Sequence, residues 1–404
     1  MIWPFSWFER RSQSWRLSQL QSLSEMGLGG GETTAGVEVT PERALSVPAV
    51  FACISVLSQD VAKTPIKLRR RIGADVFEDA VDHPLWEILH DLANPEETTY
   101  SVKHAMQFDL LLSGHAYAEI VRDDGGRVVS LWRIEPDRVF VDRDDQRRKR
   151  YRVTLANGQQ QTFLFDASRP PILELSHPSP LRYCRELIGT ALATQAYVGR
   201  FFGSGARPGG VLQTDGMLSN ESAQRLKESF ESYHQGRNQH RVAVLEQGLK
   251  YTPIAAANDS SQLNETQAYL RTEIAGMFRV APFKIGDLSR ANYSNVEALA
   301  IEHATGTLDP FFSCWESAIR RDLLTTRQFG AFDVQFDRAS LIRSDIKSLH
   351  DALARGRDAG IYSVNDARRA LGMNPIPAAS GGDLYQANGN LRPLIELGQP
   401  QEGA

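Results

Sequence analysis

The sequence predicts an α+β fold, and three observations carry that reading. Apolar residues recur every three or four positions in several long runs. Alternating β-rich runs meet at Asp-Gly and Asn-Gly dipeptides that favour tight hairpins. The strand-rich stretches crowd into the first half, and the second half reads as mostly helical. A chain of 404 residues with 42% hydrophobic composition can bury a sizeable core and suggests two or three domains.

The elements follow in order. Residues from about Ser22 to Glu38 are rich in Gly, Ser, Glu and Thr and read as a flexible lead-in. The aromatics before them, Trp3, Phe5, Trp7 and Phe8, either anchor a partner or pack locally. Val50, Ile54, Leu57 and Val61 stripe one helix face, Pro65 ends that helix, and Ile66 to Arg71 reads as extended. "HPLWEILHDLANPEE" is a helix closed by Asn94-Pro95, and "SVKHAMQFDLLLSGHAYAEIVRD" is a helix passing through Gly114 into a strand. Hairpins are expected around Asp124-Gly125 and Asn157-Gly158. "LIGTALATQAYVGRFFGSGARPGGVLQT" reads as helix, Gly-rich turn and strand.

In the second half Ser219 caps a helix in which Ala223, Leu226, Phe230 and Tyr233 share a face and Gly236 is the stop. "RVAVLEQGLKYTPI" is a short β excursion. Leu263, Leu270, Ile274 and Met277 mark the next helix. A small, polar stretch from Ala281 then leads into a long helix, where Ser294 and Glu297 are spaced as a capping box. The apolar stripe running from Val296 to Leu323 implies a rod on the order of 45 Å. Pro310 lies in its middle, where a missing N–H and a clash with the preceding turn predict a kink. A strand "FDVQFD", a helix ending at Gly360 and a short helix from Ser363 complete the chain, before a Gly/Pro/Gln-rich tail expected to be flexible.

Charge and motifs exclude several functions. Forty-five basic against forty-nine acidic residues give a net charge of −4, which argues against tight nucleic-acid binding through overall charge. Cys53, Cys184 and Cys314 are widely spaced and read as reduced small hydrophobes. No signal peptide or apolar span is legible, which implies a cytoplasmic setting and no membrane partner.

There is no G-x-x-x-x-G-K-[ST] phosphate loop, "GSGARPGG" leads into a strand instead of a helix, and no G-x-S-x-G elbow is present. The histidines lack metal-ligand spacing, so neither a metal nor a cofactor is expected. The carboxylates of "DRDD", Asp142 to Asp145, sit at a strand end and read as solvated turn residues. They leave a metal-dependent nuclease or hydrolase as the alternative function. The basic run "RRKR" from Arg147 reads as a solvated face.

Five stretches, in this order, carry a family resemblance: "SVPAVFACISVLSQDVAKTPIKLRRR"; "HPLWEILHDLANPEETTYSVKHAMQFDLLLSGHAYAEIVRDDGGRVVSLWRIEPDRVFV"; "FFGSGARPGGVL"; "FRVAPFKIGDLSRANYSNVEALAIEHATGTLDPFF"; and "GIYSVNDARRALGMNPIPAASGGD". The resemblance runs over roughly Pro41 to Asp383, and the chain resembles the portal proteins of tailed bacteriophages, in the shorter HK97-like family. Two departures from the usual pattern are Asn365-Asp366, where Asn-Glu is commoner, and "GSGA", where Asn-Gly-Ala is usual.

The resemblance implies a portal fold with a mixed α/β wing, helical stem, small β-containing clip, kinked tunnel helix and helical crown. Its boundaries would be a flexible N-terminal segment 1–40, wing 41–214, stem helices 215–238 and 261–280 around a clip 239–260, and tunnel loop 281–295. The kinked helix with a returning wing strand would take 296–340, the crown helices 341–373, and a flexible tail 374–404. It further implies a non-enzymatic dodecameric ring at one capsid vertex of the virion, assembled in the host cytoplasm. Double-stranded DNA would pass through it transiently. Its partners would be the terminase large subunit, the major capsid protein and a head-completion adaptor.

The tunnel loop would present Lys284, Ser289, Arg290, Asn292 and Tyr293 to DNA, with Ser294 and Glu297 capping and Pro310 bending the helix behind it. Small polar residues would let a duplex slide, and weak local attraction would avoid stalling it.

Overall fold

The structure is a computed structural model, and it describes residues 33–73, 76–203, 210–213, 221–222, 224–225, 250–253, 260–287, 299, 301–325, 328–342, 346–371 and 373–387. The chain divides into two units, one ending at Phe336 and one beginning at Asp337.

The first unit opens with a turn closed by Thr33, whose hydroxyl donates to the Val37 carbonyl at 2.7 Å. Thr33 is buried and lies where a Cβ on Gly189 would come within 2.5 Å of its hydroxyl, so only glycine lets the two segments approach. The Thr34 N–H donates to Glu186 at 3.0 Å. Residues 33–40 are therefore a packed segment, where a flexible lead-in was expected to reach residue 40. Composition alone did not register this hydroxyl-closed turn.

Helix α1 (Pro41–Leu45) is capped by Thr40, and α2 (Pro48–Lys63) starts on a proline whose missing N–H would be unpaired there anyway. Val50, Ile54, Leu57 and Val61 are all buried, as their spacing requires. Thr64 leaves the helix in an extended conformation before Pro65, and β1 (Ile66–Arg71) follows. Strand β2 (Phe77–Asp79) precedes α3 (Pro84–His90), which ends at Asp91, three residues before the expected stop.

Helix α4 (Thr99–Ser113) stops at Gly114, whose φ of +84° supplies the left-handed cap that turns the chain into β3 (His115–Arg122). Strand β4 (Val128–Ile134) returns antiparallel, with Tyr117 opposite Ile134. Next come β5 (Val139–Arg143), β6 (Lys149–Thr154) and β7 (Gln160–Leu164), a meander that turns at Asn157-Gly158 as expected. Strand β8 (Ile172–Ser176) pairs with β3, giving the order β4-β3-β8. Tyr117, Val139, Tyr151, Val153 and Ile172 form the core that joins this sheet to the meander.

Short α5 (Pro180–Tyr183) leads to α6 (Arg185–Gly203). Strand β9 (Gly210–Gln213) pairs antiparallel with β10 (Lys250–Pro253), Leu212 opposite Tyr251. Between them, the helix capped by Ser219 lies outside the described residues, apart from residues 221, 222, 224 and 225, which are helical. Helix α7 (Ser260–Met277) buries Leu270 and Ile274 on the expected face.

The long helix is not uniform. Leu299, Ile301 and Glu302 are helical, His303–Leu308 is a π-helical turn, and α8 (Asp309–Asp322) follows. Pro310 thus sits in the first turn of α8, not in the middle of one continuous helix. The wide turn just upstream takes up the displacement that a proline ring and its missing donor would otherwise force on an α ladder. Buried Phe312 of α8 stacks on Phe336 at 4.4 Å, and Trp315 donates to Gln107 of α4 at 2.9 Å. Strand β11 (Phe332–Phe336) closes the unit by pairing with β1, Ile66 opposite Phe336.

The second unit contains α9 (Ala339–Ile342), α10 (Ile346–Asp358), β12 (Ala359–Ser363), α11 (Val364–Ala370) and β13 (Tyr385–Ala387). Ser363 and Asp366 form a reciprocal capping box. The region expected to hold only helices also carries a two-stranded sheet, β12-β13. Residues 374–387 are likewise built into the unit and do not belong to a flexible tail. Buried Asn365 donates to the Ile376 carbonyl and Asp383 and accepts from the Ile376 N–H. One side chain thereby satisfies a loop with little apolar content to hold it.

Candidate functional site

The base of the expected tunnel loop is described on both sides. Helix α7 ends in Phe278 and Val280, both buried, with Arg279 between them in the left-handed region at φ +57°. Pro282–Ile285 then form a 3-10 turn that Gly286 ends at φ +88°. This turn aims Lys284 at α2, where its ammonium lies 3.3 Å from Asp60 Oδ2.

On the other side of the loop, His303 Nε2 lies 2.8 Å from the same oxygen. A carboxylate can only accept, so Nε2–H donates. Lys63 reaches Asp60 Oδ1 at 2.5 Å, one turn along α2. At the far end of the π turn the Thr307 hydroxyl donates to the Arg279 carbonyl at 2.7 Å. His303 is buried, and its Nδ1 has no hydrogen-bond partner among the described residues.

Burial alone would raise the Asp60 carboxyl. The hydrogen bonds from His303 and Lys63 and the charge of Lys284 reverse that and hold it well below the usual carboxylate range. Asp60 is a fixed negative charge that three cationic or donor groups share.

Of the residues expected to face DNA, Lys284 is therefore committed to an internal ion pair. Ser289, Arg290, Asn292 and Tyr293 lie outside the described residues, as do the capping residues Ser294 and Glu297. Sequence reasoning missed Asp60 and His303. Both belong to apolar-striped helices, and 243 residues separate them, so no local pattern marks the pair.

A second polar cluster lies at the C-terminal end of α8. Asp322 is fully buried and accepts from Arg321 Nε at 2.6 Å and from the Glu174 N–H at 3.2 Å. Glu174 in turn accepts from the Tyr151 hydroxyl at 2.7 Å and pairs with Lys149. Burial, which Arg321 offsets only in part, pushes the Asp322 carboxyl above its ordinary value. These contacts fasten the β5-β6-β7 meander to β8 and α8.

The acidic run weighed for metal chemistry is otherwise occupied. Asp142 accepts from Arg150 and Arg152, and Asp144 caps its own turn and pairs with Arg148. Cys53 is buried, which pushes its thiol up to about 12, and all three cysteines are free. Among the described residues no helix is long and apolar enough to cross a membrane.

Comparison with known proteins places the chain. The profile of the phage portal protein family matches residues 48–372. A probable portal protein of Streptomyces phage phiC31 is 30% identical over 390 residues, covering 92% of this chain and 84% of that protein. The portal protein of Enterobacteria phage HK97 is 25% identical over 384 residues, covering 90% and 87%.

Among solved structures, an HK97 family phage portal protein from Corynebacterium diphtheriae superposes with a TM-score of 0.58 at 21% identity, covering 74% of this chain and 96% of that one. A chain from the neck of a native gene transfer agent particle, computed with C12 symmetry, gives 0.54 at 22% identity, covering 89% and 94%. The fold is shared with both. Five ordered motifs, an α+β body with a π turn in its long helix, and a family match spanning most of the sequence lead to one conclusion: the chain belongs to the phage portal proteins, in their HK97-like family.

Proposed function

We propose that copies of this chain close into a ring, twelve in the virion, at one vertex of a phage capsid, and that double-stranded DNA passes through its hole during packaging and ejection. The observation that carries this reading is the loop base. The segment from Asp287 to Leu299 leaves and returns at one buried carboxylate, which suits a polar loop held at a set radius around a moving duplex. The C12 symmetry of the similar neck chain supports the subunit number. In this reading the α+β body is wing, residues 215–238 and 261–280 are stem and 239–260 clip, the helix from residue 296 is the kinked tunnel helix, and the second unit is crown. Terminase, capsid protein and a head-completion adaptor dock on the outer surfaces during assembly in the host cytoplasm.

Ser289, Arg290, Asn292 and Tyr293 meet phosphates, and Lys284 stands at the loop's base. The net charge of −4 keeps attraction local, since strong neutralisation of phosphates would hold the DNA in place. The family is structural and not enzymatic, and Asp142 and Asp144 act here as partners of arginine.

End-on electron microscopy of the purified protein is expected to show rings with a central hole; a strictly monomeric protein at high concentration and varied salt would overturn the reading. Replacing Lys284 and Arg290 together is expected to lower packaged DNA about tenfold or more with rings intact. The single variant Arg290→Ala separates contact with DNA from the Lys284 ion pair, and unchanged packaging in both variants removes these contacts from the mechanism.

A further inference from the structure

We propose that Asp60 is the positioning residue of the channel loop, a single clamp that fixes both of its ends. Three facts carry this. Lys284 and His303 flank the loop on opposite sides and converge on one oxygen, Asp60 Oδ2, at 3.3 and 2.8 Å. Asp60 is itself anchored, since α2 is buried along Val50, Ile54, Leu57 and Val61 and Lys63 holds its other oxygen. The π turn, a rare geometry inside helices, is held at both ends, by Asp60 at His303 and by the Arg279 carbonyl at Thr307.

The physical consequence is a dependence of one loop end on the other. Fixing both stems at one point removes the conformational freedom that would let the loop change its radius. Loss of Lys284 or His303 frees one stem. Loss of Asp60 frees both, because each loses its acceptor at once. In the channel reading the part of Asp60 in transit is to hold other residues in place.

This inference rests on the channel reading, and the test separates the two. Assembled full-length rings of Asp60→Asn, Lys284→Met and His303→Gln are compared with the parent by hydrogen exchange of peptides covering residues 285–287 and 299–302, with β3 and α8 as references. DNA packaging is assayed in parallel. Asp60→Asn is expected to speed exchange about tenfold at both flanks, Lys284→Met at the first alone and His303→Gln at the second alone, with the references unchanged. Adding Lys284→Met to Asp60→Asn is expected to change the first flank less than twofold further, as required of groups acting through one bond.

Exchange that rises uniformly, or at one flank only in Asp60→Asn, overturns the clamp, as does full additivity. Should Asp60→Asn fail to assemble, the two single-flank variants still decide, because the clamp requires each to loosen its own side. Loosened flanks with normal packaging leave the clamp standing and reject the part of the channel reading that needs the loop held at a set radius. Unchanged flanks reject the clamp whatever packaging does.

Discussion

Asp60 and Asp322 are both buried aspartates of the first unit, yet their surroundings drive them in opposite directions. Asp60 takes hydrogen bonds or charge from His303, Lys63 and Lys284, which sit on three separate elements, and ends up more acidic than a free aspartate. Asp322 has its chain neighbour Arg321 as hydrogen-bonded cation and lies beside the charge of Glu174, so burial prevails. Depth in the core does not set the state of a carboxyl; the balance of the charges around it does. The difference also separates two jobs. Two donors of Asp60, His303 and Lys284, come from distant parts of the chain and make it a joint. The side-chain donor of Asp322 is local, and its contribution is to seat β8 against α8.

Removing the charge while keeping the shape is the strongest way to break this comparison. Asp60→Asn is expected to destabilise the first unit by about 3 kcal/mol, because half-buried Lys284 loses its counter-charge and the bond from buried His303 is weakened. Asp322→Asn is expected to cost about 1 kcal/mol, the size of an altered hydrogen bond, since its carboxyl already lies closer to the neutral form. Denaturant midpoints of the two variants measure the difference, and equal losses would erase the distinction.

A smaller effect, of opposite sign at the two sites, is expected with pH. The folded pKa of Asp60 lies below the unfolded value near 4. The stability it adds is therefore complete above about pH 4 and is lost as pH falls through that lower folded value. The folded pKa of Asp322 lies above the unfolded value. Its contribution is complete below about pH 4 and is lost as pH rises through the raised folded value. The loss caused by Asp60→Asn should thus be larger at pH 7 than at pH 3, and that caused by Asp322→Asn larger at pH 3. Denaturation at the two pH values checks both signs.

What could be read from sequence followed from locality. The stripe of α2, the Gly114 cap, the Asn157-Gly158 hairpin and the Ser363 cap each depend on neighbours within a few residues, and each is in place. The π turn was missed because it obeys no short pattern; Pro310 signals a disturbance but not how the helix absorbs it. The packed turn at Thr33 and the Asn365 loop were hidden because single polar side chains hold them, where composition suggested flexibility. At the candidate site Lys284 stood out as one of two cations in a small polar stretch. Its partner could not, because Asp60 is 224 positions away in the sequence and only the fold brings them together.

The pairing of Gly210–Gln213 with Lys250–Pro253 has a bearing on how such a protein can change. Whatever the chain does from residue 214 to 249, it enters and exits by adjoining doorways, so the span between can grow, shrink or be swapped wholesale without disturbing the framework that carries it. Since loop closure grows only slowly more unfavourable with length, the tolerance is wide.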